Sequence, residues 1–158
     1  LPDAPKARVL LVDDDALLCE FLEKALTQQG CSVASETSSL DALERLNHED
    51  FDVVVSDLNM GGLDGLSFTQ RVLDHRSDIP IILITGQATL EVAVAALRLG
   101  AWDFLTKPID PNLLARSLER ALAHRALKSE VQRLRRMVPV PVAGKIVGNS
   151  TPMRSVYD

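Results

Sequence analysis

Phe51-Asp52-Val53-Val54-Val55-Ser56-Asp57 decides the fold. Phe51 and three β-branched valines, Val53, Val54 and Val55, run into a carboxylate at Asp57. A continuous apolar run bounded by polar residues reads as a strand buried on both faces, as in the middle of a parallel sheet. Asp57 then stands at the C-terminal end of a central strand, the edge where open α/β sheets place their ligands. Taken alone, Asp57 reads equally well as a cap for the loop or helix that follows.

Working outward, Arg8 to Val12 is a second short apolar run, and it ends in Asp13, Asp14 and Asp15. From Ala16 to Gln29 the residues Leu17, Leu18, Phe21, Leu22, Ala25 and Leu26 fall at helical spacing, and Gly30 supplies the stop. Cys31 to Ser35 reads as a weaker strand, and Leu40, Ala42, Leu43 and Leu46 mark a short helix. After Asp57 comes a glycine-rich loop, Met60-Gly61-Gly62-Leu63-Asp64-Gly65, then a helix through Leu66, Val72 and Leu73. Pro80 to Ile84 is a third buried strand ending in Thr85-Gly86, and a helix through Val92, Ala93, Ala96 and Leu97 stops at Gly100. Trp102 to Thr106 is a last short strand before Lys107-Pro108, and the helical pattern returns from Pro111. Strands alternating with helices imply right-handed crossovers and a doubly wound parallel sheet with helices on both faces.

The 158 residues suffice for one core and a short extension. An apolar fraction of 46% excludes global disorder, and a net charge of −5 argues against a nucleic-acid surface. Cys19 and Cys31 lack metal-ligand spacing and read as reduced thiols. With no membrane-length apolar stretch and no signal peptide, the expectation is a cytoplasmic protein without membrane contact.

The polar residues at four strand ends are Asp13 and Asp14, Asp57, Thr85, and Lys107. In a doubly wound sheet these ends open on one edge, so the side chains should converge. Carboxylates in one cleft repel, and a divalent cation relieves them; all-oxygen ligands favour Mg²⁺. A hydroxyl and an ammonium beside the acids suit an anion such as a phosphoryl group. Read singly, the acids are helix caps, Thr85 is a cap and Lys107 a solvated lysine.

Through these motifs the chain resembles the receiver domain of two-component response regulators. The resemblance covers Lys6 to Ala126 and rests on Leu11-Val12-Asp13-Asp14-Asp15, Ser56-Asp57, Leu63-Asp64-Gly65, Thr85-Gly86 and Lys107-Pro108. It implies a flavodoxin-like (βα)5 fold with strand order 2-1-3-4-5. It also implies that Asp57 accepts a phosphoryl group from a histidine of a sensor kinase. Asp14 would ligate Mg²⁺ directly, Asp13 largely through water, and the Asn59 backbone carbonyl would be a further ligand. Thr85 and Lys107 would contact the phosphoryl oxygens, with Thr85 and Phe104 moving as the switch. The Lys107-Pro108 bond is expected to be cis. Where the family usually reads Met-Pro-Gly, this chain has Met60-Gly61-Gly62, which should loosen that loop. Gln87 and Asn59 stand where the family tunes phosphate lifetime.

Past the receiver, Leu127, Val131, Leu134 and Val138 alternate by four and three on the same long helix, an a/d seam suited to a homodimer, with the receiver itself as a second contact. Residues 127–142 therefore read as a helical linker, closed by Pro139 and Pro141. Residues 143–158, with Ile146-Val147-Gly148-Asn149-Ser150, are similar to the opening of the AAA+ ATPase domain of NtrC-type, σ54-dependent activators. That similarity makes the chain's own AAA+ domain a partner in the longer protein. No phosphate-binding G-x-x-x-x-G-K-[ST] loop occurs in this sequence. The expectation is a signalling switch that neither hydrolyses ATP nor binds DNA. Two rivals are a Mg²⁺-dependent phosphohydrolase of haloacid-dehalogenase type and a receiver fold that no longer takes phosphate. The first would want an acid where Asn59 stands; the second conflicts with the intact set of five polar residues.

Overall fold

The computed structural model describes residues 6–59, 64–87 and 89–137. The Met60-Gly61-Gly62 substitution, Val138 of the seam and the 143–158 segment lie outside these described residues.

Among the described residues, five strands alternate with five helices: β1 Arg8–Val12, α1 Ala16–Gln28, β2 Ser32–Glu36, α2 Ser39–His48, β3 Val53–Asp57, α3 Gly65–His75, β4 Ile81–Thr85, α4 Leu90–Leu99, β5 Asp103–Thr106 and α5 Pro111–Met137. The sheet order is β2-β1-β3-β4-β5, and every neighbouring pair is parallel. This is the expected doubly wound arrangement. β3 and β4 are buried at every position, as their unbroken apolar runs require, whereas the edge strand β2 has no buried residue.

The period of two along each strand sorts the core into two layers. Leu10, Val54, Ile81 and Leu83 pack against Ala42, Leu46, Phe68, Val72 and Ala96 of α2, α3 and α4. Val9, Leu11, Val53, Val55, Ile82 and Ile84 pack against Leu22 and Leu26 of α1 and Leu114 and Leu118 of α5. Both faces of the central strands are thereby covered.

The helix ends follow local chemistry. Asp15, Ser38, Asp64 and Thr89 cap α1, α2, α3 and α4 through their side-chain oxygens. Gly30 and Gly100 follow α1 and α4 with φ of 98° and 108°, a conformation that costs other residues energy. Lys107-Pro108 is cis, as expected.

Three details depart from the sequence reading. β2 begins at Ser32 and β5 at Asp103, so Cys31 and Trp102 precede their strands while still packing on the α1–α5 layer. In α1, Leu17 and Phe21 are 76% and 53% exposed, because the apolar residues of that helix span more than the one stripe a helix can bury. Only Cys19, Leu22 and Leu26 are buried there, and burial pushes the Cys19 thiol up to about 11, which leaves it inert.

The chain divides into two compact units between Arg125 and Ala126. In the first, Arg125 closes the α5 packing with ion pairs to Asp52 before β3 (3.0 Å) and Asp78 before β4 (2.7 Å). Burial works against the Asp78 carboxylate, but the Arg125 hydrogen bond outweighs it and holds its pKa below the usual value. In the second unit the described residues are helical to Met137, with Leu127, Val131 and Leu134 facing solvent.

Gly65 marks the tightest backbone approach. A Cβ there would stand 2.5 Å from Leu58 Cα and 2.6 Å from the Asp57 carbonyl oxygen, neither of which can swing aside. Gly65→Ala should cost about 2–3 kcal/mol in urea unfolding, as overpacking against backbone does. Gly100→Ala, whose Cβ meets only the tip of Leu73 at 3.2 Å, should cost about 1 kcal/mol for its left-handed backbone. Equal losses would contradict the backbone clash.

Candidate functional site

Strand register assembles the site. Val12 pairs with Ser56, Asp57 with Ile84, and Thr85 with Thr106. Asp13, one residue past Val12, and Lys107, one past Thr106, therefore leave the sheet on the same edge as Asp57.

One carboxylate oxygen from each of Asp13, Asp14 and Asp57 lies within 4.8 Å of the others. Asp13 and Asp57 are buried and Asp14 is exposed. The Lys107 ammonium reaches into the cluster, 3.1 Å from Asp13 Oδ2 and 3.5 Å from Asp57 Oδ2. Asp13 Oδ1 accepts a hydrogen bond from the Asp15 backbone N–H at 2.8 Å. Asp13 Oδ2 is buried and has the nearby lysine charge without a well-aligned hydrogen bond. Asp15, the third acid of the run, faces the other way and caps α1 by accepting from the N–H groups of Leu17 and Leu18.

The electrostatics follow from this packing. Burial, then the Asp13 charge, push the Asp57 carboxyl above its usual pKa, against the opposing Asn59 N–H and Lys107. Burial works against the Lys107 ammonium, but Asp13 and Asp57 outweigh it and raise its pKa. Acids are in excess at this edge, and the lysine only partly neutralises them. Hard oxygen donors clustered around a buried, poorly satisfied carboxylate oxygen fit a divalent cation bound through oxygen.

Thr85 is fully buried and joins the acids only indirectly. Its hydroxyl accepts from the Gln87 backbone N–H (3.1 Å) and the Asn59 side-chain amide (3.3 Å), and donates to the Gln87 carbonyl (3.4 Å). Asn59 in turn donates its backbone N–H to Asp57 Oδ1 at 3.3 Å. The hydrogen-bonded chain Asp57–Asn59–Thr85–Gln87 was not legible beforehand; the sequence singled out Asn59 and Gln87 only as positions, two residues after Asp57 and Thr85, where the resembled family tunes phosphate lifetime. Phe104 is half-buried and packs on the α2–α4 core layer. A further hydrogen bond, Ser117 Oγ to Asp103 Oδ2 at 2.7 Å, ties α5 to β5. Among the described residues, no helix is long and apolar enough to cross a membrane.

Comparison with known proteins agrees with this geometry. A family model for the response regulator receiver domain matches residues 9–119. The chain is 35% identical over 145 residues to the C4-dicarboxylate transport transcriptional regulatory protein DctD of Rhizobium meliloti (strain 1021), covering 92% of this chain and 32% of that protein. It is 38% identical over 116 residues to the transcriptional regulatory protein ZraR of Escherichia coli (strain K12), covering 73% of this chain and 26% of that one. The structure of NtrX from Brucella abortus superposes with a TM-score of 0.77 at 32% identity, over 81% of this chain and 29% of NtrX; NtrX has also been solved in complex with ATP. The chain thus spans a quarter to a third of the length of these relatives.

The raised Asp57 pKa carries a stability consequence. A carboxyl whose folded pKa lies above its unfolded value destabilises the fold at every pH where it is ionised in both states. Without divalent cation at neutral pH, Asp57→Asn should therefore melt at a higher temperature than the unaltered chain. That advantage should be full above the folded pKa and vanish as pH falls towards the unfolded value of about 3.9. Thermal melts of both chains in chelator across an acidic pH series check this; a pH-independent difference would count against it.

Proposed function

Because the chain belongs to the response regulator receiver family, we propose that Asp57 is the phosphoacceptor of a two-component switch and Lys107 its principal charge-neutralising partner. The observation that carries this reading is the Lys107 ammonium set between Asp13 and Asp57, at 3.1 and 3.5 Å. An Asp57 oxygen attacks the phosphorus of a phosphohistidine on a sensor kinase; the new P–O bond forms as the P–N bond breaks, and the histidine keeps the electron pair. The product is an acyl phosphate, which water cleaves to restore the carboxylate. Burial of Asp57 strips competing solvent from the attacking oxygen, and Lys107 stands ready for the charge that gathers on the transferring group. Asp13, Asp14, Asp57 and the Asn59 backbone carbonyl would hold Mg²⁺, which when bound offsets the charge of acids and phosphoryl oxygens.

The readout is a change of packing. Thr85 gives up its Gln87 contacts for a phosphoryl oxygen, and Phe104 shifts on the α4 side of the sheet. A local charge thereby biases a two-state element. Asn59, already touching both Asp57 and Thr85, links the two.

We further assign the chain to regulators of the NtrC type, in which the receiver governs a σ54-activating AAA+ domain. The alignment with DctD supports this by running over 145 residues, beyond the 9–119 receiver match, and the ATP complex of NtrX supports a nucleotide-binding partner domain. In this assignment residues 127–142 are the linker and 143–158 the start of the ATPase domain. The exposed side chains of Leu127, Val131 and Leu134, with Val138 next in the series, support the linker as a homodimer contact.

Acetyl phosphate with Mg²⁺ tests the chemistry. Intact-mass spectrometry should show one added phosphoryl group, absent in Asp57→Asn and formed roughly 10²-fold more slowly in Lys107→Ala. Phosphorylation that persists in Asp57→Asn would overturn the assignment.

A further inference from the structure

We infer that the cleft between the C-terminal ends of α2 and α3 is a binding site for a small aromatic carboxylate, its charge taken by Arg76 and Arg71 and its ring laid on Leu43, Leu46 and Val72. The phosphoacceptor chemistry makes no use of this cleft. It opens beside Asp50, ahead of β3, at the edge of the sheet opposite Asp57.

Size and floor come first. The cleft has a volume of about 510 Å³, within the range of roughly 300–1,000 Å³ usual for small-molecule sites. Leu46 and Val72 belong to the core layer of α2, α3 and α4, and Leu43 packs against it. The floor is therefore apolar and is held in place by the same packing that holds the fold. A flat apolar ring suits such a floor.

Charge on the rim decides the other half of the ligand. Glu49 is already engaged: it accepts from Arg8 (2.9 Å) and Arg45 (2.8 Å), and those hydrogen bonds hold its pKa below the usual value. Arg76 is only 28% exposed, yet its contacts are long. It stands 3.4 Å from Asp50, whose side chain is 96% exposed, and 3.7 Å from Asp78, which Arg125 holds more closely at 2.7 Å. A guanidinium with five N–H donors and two loose partners keeps capacity for a planar, bidentate acceptor. Arg71 lines the same cleft from α3 and, among the described residues, pairs with no carboxylate. His48 donates its Nδ1–H to the Glu44 carbonyl at 2.9 Å, which leaves Nε2 as a further polar atom of the lining. The surplus charge is positive, and Asp50 opposes it from an exposed, screened position.

Other occupants fit less well. A metal ion lacks ligands: among the described residues the one group of three close acid or histidine side chains is Asp13, Asp14 and Asp57, at the other edge. A purely apolar molecule would leave both guanidinium groups without an acceptor, and an inorganic anion would leave the floor bare. A phosphate monoester, as a dianion, meets twice the repulsion from Asp50 that a carboxylate does.

Titration of the whole chain with sodium cinnamate, followed by backbone-amide NMR, tests the site. Saturable one-site binding in the low-millimolar range or tighter is expected, with the largest shifts at Leu43, Leu46, Val72 and Arg76. Cinnamamide, the same ring without the charge, should bind about 10-fold more weakly, and so should cinnamate to Arg71→Glu. Arg71 is exposed, so that variant should melt as the unaltered chain does. Arg76→Lys keeps the charge but loses the fork, and should weaken binding about fivefold. Asp50→Asn should tighten it about twofold. No saturable binding at millimolar cinnamate, shifts centred instead on the exposed leucines of α1 or α4, or equal affinity for cinnamamide would overturn the site. Equal shifts at the same residues with inorganic phosphate would overturn the aromatic half of the ligand.

Discussion

Everything at the working edge depends on one crowded electrostatic contact, the Lys107 ammonium held against Asp13 and Asp57. Two buried carboxylates with a third close by are a costly arrangement, and a single lysine does not neutralise them. The fold maintains this arrangement because the two core layers clamp β1, β3, β4 and β5 in one register. Asp13 leaves the sheet directly after Val12, Asp57 ends β3, and Lys107 follows Thr106, so backbone pairing decides where the charges go. The residual excess of negative charge is what would draw in the divalent cation of the proposed function.

That arrangement accounts for the polarity buried elsewhere on the same edge. Thr85 lies deep and spends its hydroxyl on Gln87 and Asn59, so its hydrogen bonds are met while Asp57 carries no phosphate. In the proposed switch a phosphoryl oxygen would compete with partners already in place, a choice between two satisfied arrangements rather than the filling of a gap. Asn59 belongs to both sets of contacts, through its backbone N–H to Asp57 and its side chain to Thr85. The balance between the proposed states would therefore rest on differences of about one hydrogen bond, on the order of 1 kcal/mol, where a charge change is large by comparison.

Much of this was legible in the residues, for a physical reason. β3 and β4 are buried on both faces, so their sequences are unbroken apolar runs that no other element mimics at that length. Glycines at 30 and 100 and the side-chain caps punctuate the helices unambiguously. Boundaries slipped where burial is one-sided or incomplete: Cys31 and Trp102 pack on a core layer without joining the sheet, and composition cannot tell packing from pairing. Leu17 and Phe21 fitted a helical spacing but lie outside the buried stripe of α1, because periodicity shows that a face exists and not how wide it is. The Asn59–Thr85–Gln87 contacts were illegible because they depend on rotamers and loop paths that only the assembled sheet determines.

α5 is where these two kinds of information meet. Its first turns are specified by packing: Leu114, Ala115, Ser117, Leu118 and Ala121 are buried, and Ser117 is bonded to Asp103 of β5, the strand that leads to Lys107. Beyond Ala121 no residue of the helix is buried among those described, and Arg125 is held by hydrogen-bonded ion pairs to Asp52 and Asp78. Helix propensity by itself barely sustains a polar helix of this length in water, so the exposed turns after Arg125 need another source of stability. The apolar stripe of Leu127, Val131 and Leu134 offers one, since among the described residues nothing covers it. α5, Pro111 to Met137, thus joins early turns specified by its own domain to later turns whose apolar stripe lies open to solvent.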